Sequence, residues 1–311
     1  MTNFTERLQK NNFASDLIID NKSKDCVIIF HAFNATPYEM HVVADAIGTL
    51  GVDVYVPLIP KHGISSSELA ELNLDEAVEW SKLYIQDKRK KYNRIIIIGH
   101  SLGSGLVYSI ASSDIPIEGV ILTGLSKNFT QRIRLLTWLT KIFKIKYIPT
   151  NFGHLEKSKV VSREYLNWKR KKLPKQPVQL MREMVETVPN RYDSLSSIST
   201  PFMLVIGTKD FITHADYVDN FLLTTKSLRK IAFILNKGSH EIFLDDFKNI
   251  VISKILNFVI EILADKTIKE ENLIECFVLD EDKEINKTND LREIINKNKS
   301  IVALHSKVCY P

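Results

Sequence analysis

The twelve residues from Arg94 to Gly105, RIIIIGHSLGSG, constrain this chain more than any others. Ile95 to Ile98 are a run too short for a helix and too apolar for an exposed strand, which predicts a central strand buried on both faces. Gly99, His100, Ser101, Leu102 and Gly103 then turn the chain into a predicted helix, Leu106 to Ser112. A strand, a tight turn and a helix with serine at the apex make the G-x-S-x-G nucleophile elbow, whose glycines let backbone approach where side chains would collide. Three of the chain's eleven glycines fall between positions 99 and 105, a concentration that an incidental serine in a loop would not need.

On either side, strands alternate with helices. Leu17 to Ile19 and Cys26 to Phe30, separated by DNKSKD, read as a hairpin-like pair of strands. A helix from about Tyr38 to Leu50, a strand at Val52 to Val56, an amphipathic helix from Leu74 to Tyr84 and a strand at Val120 to Thr123 complete a pattern that predicts a mostly parallel sheet covered on both faces. Between Leu125 and Thr200 the rhythm breaks into successive helical patterns, an insertion without a convincing strand. Strands resume at Pro201 to Ile206 and Ile231 to Leu235, and a helix from Phe243 to Leu263 closes the domain. Beyond Asp265 the chain is polar, with apolar islands at 273 to 279 and 301 to 304; this stretch reads as a small appendage or a partly ordered tail.

Serine needs a base to take its proton, and the base needs a third group to hold its tautomer. Each has a candidate after its own strand: Asp210 follows PFMLVIG and His240 follows IAFILNKGS. The order Ser101, Asp210, His240 is that of α/β-hydrolases rather than of the other well-known serine hydrolase scaffolds. The oxyanion formed on attack needs preorganised donors, for which the backbone N–H of Leu102 and that of Phe33, with Ala32 second, are the candidates. His31, His62 and His100 are expected to order backbone rather than to move protons.

Composition limits the alternatives. With 311 residues the chain can form one large core or two modest domains. No apolar run is as long as a membrane span and MTNFTERLQKNNFASD lacks a secretory h-region, so the expected compartment is the cytoplasm. Cys26, Cys276 and Cys309 lack metal spacing and are expected to be reduced thiols, Cys26 as a core residue.

FHAF before a helix, VPLIPKHG, IIIIGHSLGSG, IPIEGVIL, LVIGTKD and KGSHEIF, in that order, resemble the α/β-hydrolase serine esterases, in particular bacterial carboxylesterases and monoacylglycerol lipases. The resemblance spans about Asp16 to Asp265. It implies an α/β-hydrolase fold, with a core at 1–124 and 201–264 and the insertion at 125–200 as a helical lid; the polar extension at 265–311 lies beyond the resemblance and its role is unknown from the sequence. The resemblance further implies no metal or organic cofactor, and hydrolysis of carboxylic esters through an acyl-serine intermediate. Two departures stand out. Relatives carry glycine where this chain has Ala32 and often where it has Ala35, and Ser104 replaces a common glycine after the elbow.

The insertion is strongly basic. From Ser126 to Arg191, sixteen Lys or Arg stand against four Glu and no Asp, a formal +12 within a chain of +5, which leaves −7 for the remainder. Its segment RIRLLTWLTKIFKIK can turn Trp138 and Leu139, with Ala32 across from them, onto an acyl pocket, or can lie on an anionic membrane surface. The expected protein is therefore a cytoplasmic serine esterase for medium or long acyl chains, like a carboxylesterase or a monoacylglycerol or lysophospholipid lipase, with phospholipid-derived esters and acyl thioesters as near variants and contact with the membrane surface through the lid. The alternative is a catalytically weak or inactive hydrolase-fold protein that binds anionic lipid or a partner through the basic lid. Nothing in the sequence supports nucleic-acid binding.

Overall fold

Ile95 to Ile98 are fully buried and feed two separate clusters, Ile95 and Ile97 on one side, Ile96 and Ile98 on the other. Successive side chains of a strand face opposite sides of the sheet, so this strand is covered on both. The computed structural model describes residues 12–125, 129–191, 197–264, 273–280 and 283–285. Within them the main sheet has nine strands: β1 (Leu17–Ile19), β2 (Asp25–Phe30), β3 (Asp53–Val56), β4 (Arg94–His100), β5 (Gly119–Thr123), β8 (Phe202–Gly207), β9 (Arg229–Leu235), β10 (Leu273–Asp280) and β11 (Lys283–Ile285), the numbers omitted belonging to β6 (Tyr147–Pro149) and β7 (Lys175–Pro177) of the insertion. The spatial order is β1-β3-β2-β4-β5-β8-β9-β10-β11, parallel throughout except at the two edges.

Helices α1 (His41–Gly48), α2 (Leu74–Arg89) and α3 (Leu102–Ala111) connect the first strands. Asn73 caps α2 by accepting from the Glu76 N–H at 2.8 Å, and Asp75 and Glu76 in its first turn with Lys88 and Arg89 in its last suit the helix dipole. The expected α/β-hydrolase architecture, a mostly parallel sheet flanked by helices, is thus present. Among the described residues no helix is long and apolar enough to cross a membrane.

The hairpin expected at the start does not form. β1 pairs antiparallel with β3, and β2 lies on the other side of β3. Asp53 explains the arrangement, because its buried carboxylate accepts from the N–H groups of Asn21 and Ser23 at 2.9 and 3.0 Å and holds the spacer over the start of β3. A polar, turn-forming spacer looked like a hairpin loop; a side chain about thirty residues away decides otherwise.

Between β5 and β8 the chain forms α4 (Gln131–Ile142), a short helix at Gly153–Lys157, α5 (Arg163–Lys172) and α6 (Gln179–Arg191). Helices alone were expected here, but β6 and β7 make a short antiparallel pair. Thr130 and Ser162 cap α4 and α5. The α5 side is anchored to the core by Phe13, Tyr38, Tyr165 and Trp168, with Tyr38 stacked on Tyr165 at 4.3 Å. Beneath them Lys169 and Tyr165 both donate to the buried carboxylate of Glu39.

The apolar island at 273 to 279 is not an appendage. It is β10, paired in parallel with β9 from Leu273 opposite Arg229 to Leu279 opposite Leu235. Arg229 ties it down by bonding Glu261 of the closing helix, α8 (Lys248–Leu263, following α7 at Val218–Thr224), at 2.7 Å and Glu275 of β10. The island at 301 to 304 and Cys309 lie outside the described residues.

Candidate active site

Ser101 stands between β4 and α3 with φ 53° and ψ −113°, a left-handed conformation that a non-glycine residue holds only under constraint. The constraint is close packing. A Cβ on Gly99 would lie 2.3 Å from the Gly103 carbonyl oxygen, and one on Gly103 only 2.0 Å from the Phe30 carbonyl oxygen, so no side chain fits at either position. Ser104 is part of the brace. Its hydroxyl lies 2.6 and 2.7 Å from the carbonyl oxygens of Gly99 and Thr123 and accepts from the Thr123 N–H at 3.0 Å, tying the end of β4 to β5.

Asp210 lies in the loop after β8, and its position is fixed from both oxygens. Oδ1 accepts from the N–H groups of Ile212 and Thr213 at 2.8 and 3.0 Å; Oδ2 accepts from Thr213 Oγ1 at 3.2 Å and from His240 Nδ1 at 2.6 Å. His240 follows β9 and is buried. Burial favours its neutral ring, but the charge and hydrogen bond of Asp210 more than offset this and raise its pKa above 6.5. Burial likewise opposes ionisation of Asp210, yet His240 and the two N–H donors hold its pKa below 3.8. With Nδ1 committed to Asp210, Nε2 is the ring nitrogen left to exchange a proton; it is buried and makes no hydrogen bond among the described residues.

Ser101 and His240 open onto one cavity of about 200 Å³. Ala32 and Phe33 also line it, with Ile133 and Leu136 of α4 opposite. The structure therefore brings Asp210 and His240 into direct contact and sets Ser101 in the same cavity, without closing a hydrogen bond between Ser101 and His240.

A profile of the family described as serine aminopeptidase, S33 (Hydrolase_4) matches residues 21–246, most of the chain and all three of these residues. The chain belongs to this family. Solved structures with the same fold include a lipolytic enzyme from a metagenome, described with LipS and LipT, at TM-score 0.67 and 16% identity, covering 80% of this chain and 98% of that one. The monoacylglycerol lipase of Paleococcus ferrophilus matches at TM-score 0.61 and 16% identity over 79% of this chain and 98% of its own. A soluble variant of the Saccharomyces cerevisiae monoglyceride lipase, solved with a substrate analogue, matches at 0.63 and 15% over 79% and 91%. No curated protein matches the chain in sequence.

This S33-family chain has Ala32 and Ala35 in the loop after β2, where the resemblance led to an expectation of glycine, and its backbone does not require glycine at either position. The residue with positive φ in that loop is Asn34, at 55°, rather than Ala32 or Ala35; asparagine enters this region more readily than alanine. The N–H groups of Phe33 and Leu102 make no backbone hydrogen bond among the described residues. His31 braces the loop, with Nδ1 donating to the Ala32 carbonyl at 2.9 Å and Nε2 accepting from the Ile59 N–H at 3.1 Å. Burial and the neighbouring His62 push the His31 pKa well below 6.5, and burial pushes His62 down to about 4, so both rings are neutral supports. Cys26 is likewise inert, its thiol pushed up to about 12, chiefly by burial.

Two expected pocket residues are misplaced by the turn of a helix. Ile133, Thr137 and Thr140 form the buried stripe of α4, leaving Trp138 56% exposed and Leu139 off the cavity wall, while Ala32 is on it. Other contributors escaped the sequence. Gly124, with φ 58°, packs against the His240 ring so tightly that a Cβ would lie 3.2 Å from Cε1. Glu241 stands between His100, at 3.5 Å, and His154 of the insertion, at 3.8 Å. Burial works against the Glu241 charge, but the His100 hydrogen bond and the nearby histidine charges keep its pKa well below 4.5. A glycine directly after a strand was a legible signal for Gly124; the Glu241 contacts had none, because His154 arrives from 87 positions away.

Proposed function

We propose that this protein is a serine hydrolase of carboxylic esters, with Ser101 as nucleophile, His240 as general base and acid, and Asp210 as the group that orients His240. The observation that carries this reading is the 2.6 Å bond from His240 Nδ1 to Asp210, which leaves Nε2 unpartnered in the cavity that Ser101 shares. Ser101 Oγ passes its proton to Nε2 as it attacks the ester carbonyl, and Asp210 stabilises the imidazolium that results. The oxyanion takes hydrogen bonds from the N–H groups of Leu102 and Phe33. His240 then protonates the departing alcohol, and a water activated by the same nitrogen frees the acid. A thioester follows the same steps with a thiol leaving.

Residues 125–200 act as the lid, and Ile133, Leu136, Met181, Met184 and Phe211 supply an apolar wall for the acyl chain. A cavity of about 200 Å³ is below the ~300–1,000 Å³ usual for small-molecule sites, which favours medium over long acyl chains. Peptide hydrolysis, suggested by the family's description, fits less well. A substrate ammonium needs a free carboxylate, whereas Glu39 is taken by Lys169, and Glu241 lies between His100 and His154. Labelling with a fluorophosphonate probe tests the assignment: it should be lost in Ser101→Ala, and labelling that survived the substitution would refute it.

One observation favours a second property. Leu135, Trp138, Ile142 and Phe143 are each more than half exposed on or just beyond α4, among Arg132, Arg134, Lys141, Lys144 and Lys146. Such a surface suits an anionic bilayer, where the lid would receive its substrate; a protein that binds there without cutting is the alternative. Sedimentation with anionic and neutral vesicles, run beside the labelling assay, separates the two.

A further inference from the structure

Besides His240, the cavity wall contains another buried polar group without a partner. Asn34 is 4% exposed and lines the cavity, and its Oδ1 makes no hydrogen bond among the described residues. The amide cannot simply be turned round. The Thr150 hydroxyl gives its single proton to the Leu173 carbonyl at 2.8 Å, so it meets Asn34 with a lone pair and takes the Asn34 Nδ2–H at 3.2 Å. That leaves the carbonyl end of the amide as the free end. A buried acceptor without a donor costs stability, and in a cavity wall it marks the place where a ligand's donor belongs.

The donor it suits is neutral. Lys169 and Glu39 line the same wall but are bonded to each other and buried, and Glu241, also on it, lies between His100 at 3.5 Å and His154 at 3.8 Å, so these charges are answered within the protein. The side chains from α4 and α6 on the cavity are apolar and suit an acyl chain, whereas Asn34 and Thr150 present oxygen and nitrogen. Asn34 also directly follows Phe33, whose N–H is assigned to the oxyanion, so its amide belongs next to the bond being broken.

We infer that Asn34 is a specificity-determining residue whose Oδ1 accepts a hydrogen bond from a free hydroxyl on the alcohol portion of the substrate, so that esters of hydroxylated alcohols are preferred over plain alkyl esters. The inference rests on the esterase reading of Ser101. A site built to bond a hydroxyl discriminates strongly against the analogue that lacks it, because its own polar group is then left unpaired.

The test compares kcat/KM for 2-hydroxyethyl octanoate and ethyl octanoate in the wild type and in Asn34→Gly, a substitution whose backbone accepts φ 55° without strain. Asn34→Ala removes the same oxygen and is the second variant, with thermal unfolding as the check on folding. The wild type should favour the hydroxyethyl ester by about tenfold or more, and the variants should bring the ratio close to one. A wild-type ratio near one, or a preference that survives in a folded variant, overturns the role of Asn34. If neither ester is cleaved and the fluorophosphonate does not label Ser101, the esterase reading fails first and the inference falls with it.

Discussion

Lys169, on the insertion, donates to Glu39, on the core, at 2.5 Å with both side chains almost wholly buried. Breaking a buried ion pair from one side strands the other charge, which typically costs about 3–5 kcal/mol. Lys169→Met should therefore lower stability towards the smaller of those values, since Tyr165 still donates to Glu39. Adding Glu39→Leu should restore most of the loss. Urea unfolding of both variants checks this.

Removing the three proposed catalytic groups should separate them by role. Ser101→Ala and His240→Ala should each lower turnover by about a millionfold, and Asp210→Ala by a smaller factor, near ten-thousandfold. Hydrolysis of a medium-chain ester by purified variants measures all three, and near-normal turnover without Ser101 would discard the assignment.

The proposed mechanism needs His240 neutral, so kcat/KM should rise with pH through a pKa above 6.5. In Asp210→Asn the charge that raises this pKa is gone while burial, which lowers it, remains; the acidic limb should move to lower pH in the residual activity. Stability carries the same signature. The His240 contribution is full below its unfolded pKa and is lost as pH rises through the raised folded value, whereas that of Asp210 is present above its unfolded pKa and is lost as pH falls through the depressed one. A pH series of unfolding midpoints, wild type against Asp210→Asn, reads both limbs.

Gly103→Ala should unfold the elbow or displace β2, because the new Cβ would meet the Phe30 carbonyl oxygen at 2.0 Å. A loss of more than ~3 kcal/mol is expected. Gly119→Ala is the control, since its nearest neighbours would be side chains at 3.4 Å. Comparable losses in the two variants would show that the close approach is not what the glycine serves.

The elbow, Asp210 and His240 were legible because each is bound to a local pattern: a buried strand, then a loop residue whose type the chemistry requires. What failed was information held between distant segments. DNKSKD looked like a hairpin turn because Asp53, which captures its N–H groups, lies thirty residues on. Trp138 looked like a pocket residue because an apolar side chain on an amphipathic helix is expected to face inward; the stripe of Ile133, Thr137 and Thr140 places it outside. Asn34 was invisible for a third reason. Its orphaned oxygen depends on where the proton of Thr150 goes, and Thr150 arrives on a different segment.

The strand that leads to His240 is not the margin of its sheet. With β10 alongside, β9 is hydrogen-bonded on both flanks, and among the described residues the outer border passes to β11 and to the part of β10, Leu273 to Phe277, with which β11 does not pair. Open borders are where sheets fuse between molecules, and β10 carries this one away from the strand that positions His240. A chain cut after Ala264 would expose the whole of β9 in its place. It would bring the open border directly beside His240, the proposed general base.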